Sequence, residues 1–517
     1  MLAALAQADL DVLVIGGGIT GAGIARDAAL RGLGVGLVEA VDFAAGTSSR
    51  SSKLIHGGVR YLAQGDVGLV REAAAERRTL RRIAPHLAVP VTMVLPTYAR
   101  ATQLKLGAGL WAFEKLATVE DADRHRLLDR DEALAFEPTL APDRLFGAAI
   151  YGEYLTDDAR LVLDNVRGAH LAGALCANHA EVTTLEHGAA VVRDALGGAE
   201  FRVRARVLVN AAGPWASEVE RRAGGTGDLR LQLTKGVHLV VTRERLPVRH
   251  VVVMTARDKR SVFTVPRDDV VYLGTTDTLF DTAVLNPGVA RDDVDYLLDA
   301  ANRTFAGARL TERDVVGSWA GLRPLLYQEG KAPSEISRRD EILVDETIGL
   351  VSIAGGKLTA YRTMAERVVD LVCRRLGRPE LPCRSGDLPL PSARGALPRP
   401  ADVQTALPAL VAADADRLIR LYGVEALDVA RRATALGGMG ALVRAQVERA
   451  IDHEMALTLE DVLERRMRLL LFDAQQGLAV AEEAAALAAQ RLGWNRERTA
   501  RELTDYRQLA ASLRTFT

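Results

Sequence analysis

Gly16, Gly18 and Gly21 stand at G-x-G-x-x-G spacing after the apolar run Val12 to Ile15, and a carboxylate, Glu39, closes the next apolar run, Val35 to Val38. Strand, glycines, helix, strand and acid in that order point to a grip on a dinucleotide. The first glycine permits a tight turn, the second lets main chain approach a pyrophosphate, and the third allows a helix to pack closely. Unpaired amides and the dipole at that helix start favour an anion. Glu39 falls where an acidic side chain hydrogen-bonds a ribose diol and disfavours a 2′-phosphate. The motif by itself leaves NAD and FAD both open. A second Gly-rich helix start, Gly355, Gly356, Lys357, Leu358 and Thr359, offers amides for another part of the cofactor by the same logic. Val41 to Gly65 is small and polar, with Lys53, His56, Arg60 and Tyr61 close together, as in a loop wrapped along a cofactor.

The elements that must position these residues are legible as patterns. Short β-branched runs stopped by glycine suit strands buried on both faces of a parallel sheet. Val203 to Gly213 is another such strand, ending in small residues that let backbone pass close to a nucleotide. Val237 to Thr242, Val251 to Met254, Ser261 to Pro266 and Val270 to Thr275 read as an antiparallel or mixed sheet roofing a pocket. Leu350 to Ala354 is a strand, with a helix following through Leu376. Arg160 to Leu175 has helical spacing and Glu181 to Leu185 reads as a strand. Asp66 to Ala84 reads as a charged helix with Arg71, Arg77, Arg78, Arg81 and Arg82 mostly on a solvated face. Tyr98 to Ala117, which carries Leu110, Trp111 and Phe113, is either an amphipathic segment on a membrane surface or a core or dimer helix. The Pro-rich passage Pro379 to Pro400 reads as a linker, and Ala401 to Thr517 as a helical domain. There, His453, Glu454 and Glu460 are assigned to helix surface and capping, and Thr458 with Asp461 to a capping box.

Composition narrows the function. The 517 residues leave room for two or three domains, and 66 basic against 67 acidic side chains give a net charge of −1, so no global field recruits nucleic acid. Cys176, Cys373 and Cys383 lack metal-ligand spacing and suggest a reducing compartment and no metal. Met1 to Leu10 lacks a basic n-region, and no apolar segment is long enough to span a bilayer. A cytoplasmic protein, or one peripheral on the cytoplasmic face of a membrane, is expected.

The stretches GGGITGAGIARDAALRG, TSSRSSKLIHGGVRYL, TKGVHLVV, GTTDT, GLRPL, GGKLTAYRTMAE and EMALTLEDVLERRMR together resemble the FAD-dependent glycerol-3-phosphate dehydrogenases, in that family's order. The resemblance implies an α/β fold: a glutathione-reductase-like FAD-binding Rossmann domain, a β-rich substrate domain and a C-terminal helical domain. The expected division is 1–95, 150–230 and 340–378 for the FAD domain, 96–149 and 231–339 for the substrate domain, 379–400 for the linker and 401–517 for the helical domain. FAD replaces NAD as the expected cofactor, held by Gly16, Gly18, Gly21 and Glu39, with Ser48, Ser52 and Lys53 along the wrapped loop. Val182 is expected on the adenine side, Ala211 and Gly213 near the nucleotide, and Gly356, Leu358 and Thr359 near the ribityl or pyrimidine end.

The resemblance further implies oxidation of glycerol 3-phosphate to dihydroxyacetone phosphate by hydride transfer to the flavin, with a membrane quinone as electron acceptor. Arg60, Arg323 and Lys357 are the expected phosphate-binding cations, with Tyr61 and Thr359 as hydrogen-bonding partners. His238 is the first candidate for the base and His56 the second, and Arg323 or Lys357 would polarise the alkoxide. The sequence departs from the family's pattern at Met467, where a threonine usually follows the paired arginines. An oxidase using O₂, the catalytic subunit of a multi-subunit anaerobic dehydrogenase, a non-catalytic flavin-binding protein and an NAD-only dehydrogenase are the rival readings.

Overall fold

The computed structural model describes residues 1–56, 67–117, 124–224, 229–327, 340–378 and 381–517. The strand Asp9–Ile15 lies in the middle of one sheet, parallel to Val35–Val38 on one side and to Glu200–Asn210 on the other. Leu350–Ala354 adds in parallel beyond Glu200–Asn210, and Leu175–Ala177 beyond Val35–Val38. Helices cover this sheet, which is why its inner strands are unbroken apolar runs rather than alternating ones. The helix Ile19–Leu30 packs against Asp158–Leu171 and Tyr361–Arg375. Gly23 sets that approach: a Cβ there would come 2.9 Å from the Tyr361 ring.

The second sheet is built around Leu231–Thr242, antiparallel to Val270–Gly274 and to Val315–Leu326. It continues through Ser261–Arg267 and Val251–Thr255 to Val89–Thr97 and Gly147–Leu155. Those last two strands show where the expected boundaries at 95 and 150 fall, inside strands of the second sheet. The pairing responsible is between segments far apart in sequence, Val251 beside Met93, and it leaves no local mark.

The C-terminal helices have an apolar core of their own around Val403, Leu418 and Val429. A second set, including Leu463, Met467 and Leu470, packs against Tyr272 and Trp319 of the second sheet. Met467, the departure from the family's pattern, is thus an apolar core residue. The Pro-rich segment is strapped down rather than slack. Leu390 is fully buried, and the Arg26 guanidinium donates to the carbonyls of Ser385 (2.9 Å) and Leu388 (2.5 Å). Thr458 and Asp461 cap each other, each side chain accepting the other's amide at 3.1 Å.

Two charged residues are not where helical patterning puts them. Arg77, expected on a solvated face, is buried and pairs with Glu153 at 3.0 Å. Glu454, expected on a helix surface, is 3% exposed and takes both Arg160 nitrogens, at 2.6 and 2.7 Å. Amphipathic spacing marks a polar face without saying whether water or another domain's arginine covers it. Arg160 lies on Asp158–Leu171 and Glu454 on Ala441–Glu454, so the pair bolts the helical domain to the nucleotide domain.

Burial would raise the Glu454 pKa, but Arg160 outweighs it and holds the carboxyl at about 2 against an ordinary 4.5. A depressed carboxylate contributes stability above its unfolded pKa and loses it as pH falls through the folded one. Glu454→Gln should therefore cost on the order of 3 kcal/mol at neutral pH. In urea unfolding the wild type should also lose more stability than the variant between about pH 5 and pH 2. Equal pH dependence in the two proteins would contradict this.

Candidate active site

A cavity of about 1210 Å³ opens between the two sheets and takes its walls from both. It exceeds the roughly 300–1,000 Å³ of ordinary small-molecule pockets and has room for a large cofactor together with a small substrate.

At the nucleotide end the main chain leaves no alternative to glycine. Gly16 has φ of 108°, and a Cβ on it would lie 2.6 Å from the Ala211 carbonyl oxygen. A Cβ on Gly21 would run into the Gly16 carbonyl oxygen, so the turn closes only without side chains. Gly18 begins the helix Ile19–Leu30, whose first amide, that of Ile19, is accepted by Ser48 Oγ at 2.9 Å. The Glu39 carboxylate accepts the Gly17 amide at 2.7 Å and the Val41 amide at 3.0 Å. Burial raises its pKa against those two bonds. Glu39 therefore shapes the loop as well as lining the cavity. These glycines and the helix start fit a dinucleotide cradle, with Val182, Ala211, Gly213, Gly356 and Leu358 also in the cavity wall.

The loop that crosses the cavity is held from behind by buried charges. Asp42 receives Arg465 Nε at 2.5 Å and is also paired with Arg466. Arg50 pairs with Glu464. Lys53 donates to the Ser49 carbonyl at 2.7 Å and to Asp158 at 2.8 Å, and burial, only partly offset by Asp158, lowers its pKa to about 7. Arg468 completes the set on Asp157 at 2.9 Å and Asp158 at 3.3 Å. The ammonium of Lys53 thus serves the loop. Asp42, Asp157, Asp158, Glu464 and Arg468, none of them marked as a site candidate by the sequence, thus hold the loop that lines the cavity. For Asp157, Asp158, Glu464 and Arg468 the only trace in the sequence is charge inside apolar stretches, TDDARLVL and LERRMRLLLF, while Asp42 stands at the start of the small, polar loop.

The reactive end is built on the second sheet. His238 Nε2 lies 2.9 Å from Ser52 Oγ, and the ring stacks on Trp319 with centroids 4.8 Å apart. Burial, then the charges of Lys53 and Arg323, keep its pKa well below the ordinary histidine value, so the imidazole is neutral. Arg323 reaches across Gly236, where a Cβ would collide with the guanidinium. Its nitrogens meet Asp277 at 3.1 Å and Thr275 at 3.0 Å. Lys357 follows Gly355 and Gly356, both at positive φ, and starts the turn Leu358–Ala360. Thr359 lies beside the His56 carbonyl at 3.5 Å, the outer limit of a hydrogen bond, and both residues line the cavity. The structure therefore brings His238, Arg323, Lys357, His56, Thr359 and Ser52 to one cavity. Arg60 and Tyr61 lie outside the described residues. A neutral imidazole beside fixed cations and a dinucleotide cradle can take a proton from an alcohol while its carbon gives up a hydride.

Residues 11–362 match the family model described as FAD dependent oxidoreductase, and residues 383–499 that of the C-terminal domain of alpha-glycerophosphate oxidase. The chain is similar to the aerobic glycerol-3-phosphate dehydrogenase of Bacillus subtilis (strain 168), 38% identical over 96% of this chain and 94% of that one. It is 43% identical to the enzyme of that name from Staphylococcus aureus (strain USA300), over 71% and 68% of the two chains. Among solved structures it is similar to the glycerol-3-phosphate dehydrogenase from Bacillus halodurans complexed with FAD. There the TM-score is 0.83 and the identity 34%, over 99% of this chain and 96% of that chain.

Asp42→Asn removes the carboxylate that compensates two buried guanidiniums and should slacken the loop. The purified variant should retain several-fold less bound dinucleotide by absorbance after gel filtration, with native far-UV circular dichroism. Full retention would show that the loop stands without the network.

Proposed function

Because the chain belongs to the FAD-dependent oxidoreductases, in their aerobic glycerol-3-phosphate dehydrogenase branch, we propose that it oxidises sn-glycerol 3-phosphate to dihydroxyacetone phosphate. FAD occupies the dinucleotide cradle and, when bound, supplies the hydride acceptor. The glycine turn and the dipole at the start of the helix Ile19–Leu30 would hold its pyrophosphate. Arg323 and Lys357 hold the substrate phosphate, for which a fixed guanidinium fork is well matched. The observation that carries this reading is the placement of neutral His238 and Arg323 in the same cavity as the cradle.

His238 takes the hydroxyl proton. Its proton affinity is held down partly by Lys53 and Arg323, and a bound phosphate dianion opposes both, raising that affinity when substrate arrives. A non-catalytic flavin protein has no use for such an arrangement.

Electrons leave to a membrane quinone on this proposal, at the cytoplasmic face. The helix Arg100–Ala117 buries Leu110 and Phe113 but turns Leu104 and Trp111 outward, each 59% exposed, with Lys105 and Lys115 also exposed. That face suits an anionic lipid surface. No helix among the described residues is long and apolar enough to cross a membrane. An oxidase using O₂ is the second reading, favoured by the description of the matching C-terminal family model.

Anaerobic addition of glycerol 3-phosphate should bleach the yellow enzyme, and His238→Asn should slow that step by about 10²–10⁴-fold. Quinone in anionic vesicles should reoxidise the enzyme faster than O₂ does, and replacing Leu104 and Trp111 by glutamine should slow the vesicle reaction but not that with a soluble quinone. Absence of bleaching would contradict the reading, and faster reoxidation by O₂ would favour the oxidase.

A further inference from the structure

The His238 imidazole is walled in on its apolar sides. Trp319 stacks on it at an interplanar angle of 12°, and Tyr272 presents its ring at 6.1 Å and 66°. Opposite Gly274 no further atom fits, since a Cβ there would collide with the imidazole. The residue is 2% exposed, and its Nδ1 is buried without a hydrogen-bond partner among the described residues. Nε2 is therefore the nitrogen through which the ring meets polar chemistry, and what it meets is the Ser52 hydroxyl at 2.9 Å.

Ser52 stands differently. It is half-buried in the cavity wall, more open than the histidine behind it. Its main chain is fixed on both sides. The Ser52 carbonyl accepts the Tyr272 hydroxyl at 3.0 Å. Asp158 accepts the Ser51 amide at 3.1 Å, the Ser51 hydroxyl at 2.7 Å and the Lys53 ammonium at 2.8 Å. A hydroxyl held in this way can donate to one neighbour while accepting from another.

We propose that Ser52 is a further catalytic residue, its hydroxyl relaying the substrate's proton to His238. The C2–H bond breaks and its electron pair leaves as hydride to oxidised FAD. The C2 hydroxyl proton passes to Ser52 Oγ as the Ser52 proton passes to His238 Nε2. Substrate becomes ketone, the imidazole becomes imidazolium, and the serine ends as it began. The neutral ring must then carry its proton on Nδ1 and present a lone pair at Nε2. This inference rests on the glycerol 3-phosphate reading.

The test uses FAD-loaded wild type, Ser52→Ala and Ser52→Thr under anaerobic stopped flow with glycerol 3-phosphate. Ser52→Ala should retain FAD and bleach fully, with a reduction rate constant about 100-fold lower and a half-saturating substrate concentration close to wild type. Ser52→Thr, which keeps the hydroxyl, should recover most of the rate. In histidine-labelled oxidised enzyme, the ¹⁵N shift assigned through His238→Asn should show Nε2 unprotonated. Wild-type rates in Ser52→Ala, equally slow alanine and threonine variants, or a protonated Nε2 would each overturn the relay alone. A wild-type enzyme that glycerol 3-phosphate does not bleach would overturn the functional reading and the relay with it.

Discussion

The structure depends on the pairing of charges that have been taken out of water. Asp42, Arg50 and Lys53 lie on the loop that crosses the cavity, and each ends on a buried partner: Arg465 and Arg466, Glu464, and Asp158. An isolated ion at these positions would cost several kcal/mol, so the loop and its partners stand or fall together. Among the described residues, nothing beyond Thr359 lines the cavity. The helical domain nevertheless belongs to the site, because its arginines fix the loop that does.

The same electrostatics set the reactive end. Lys53 and Arg323 both lower the proton affinity of His238, and Lys53 is itself held at about 7 by burial against Asp158. Burial first, then a buried loop cation and the guanidinium proposed for the substrate phosphate, thus hold the base neutral while the site waits. Gly236 and Gly274 supply the missing volume that lets Arg323 and His238 occupy the floor of one cavity. The placement of these two side chains requires those small residues as much as the charged ones.

Much of this was legible in the sequence, for physical reasons. Buried parallel strands are continuous apolar runs, so Val35–Val38 and Leu350–Ala354 stand at the residues their patterns mark. The glycine turn is legible because its stereochemistry tolerates few alternatives, and the family's motifs named His238, Arg323 and Lys357. Pairings across distance left no comparable mark. Ser52 and His238 are 186 residues apart, and neither reads as the other's partner. The strands Val89–Thr97 and Gly147–Leu155 pass through the expected domain boundaries because their sheet assignment comes from remote neighbours. Glu454 and Arg77 look like surface charges locally and become core ion pairs only when another element covers them.

On the proposed function one cavity holds FAD by its glycine cradle and a glycerol phosphate by Arg323 and Lys357, with the C2 oxygen directed to the Ser52 and His238 pair. A crystal structure of the FAD-loaded enzyme with dihydroxyacetone phosphate tests it most directly. The phosphate should lie within hydrogen-bonding distance of Arg323 and Lys357, and the C2 carbonyl oxygen within reach of Ser52 Oγ. A phosphate bound elsewhere, with Arg323 still on Asp277 and the carbonyl remote from Ser52 and His238, would contradict it.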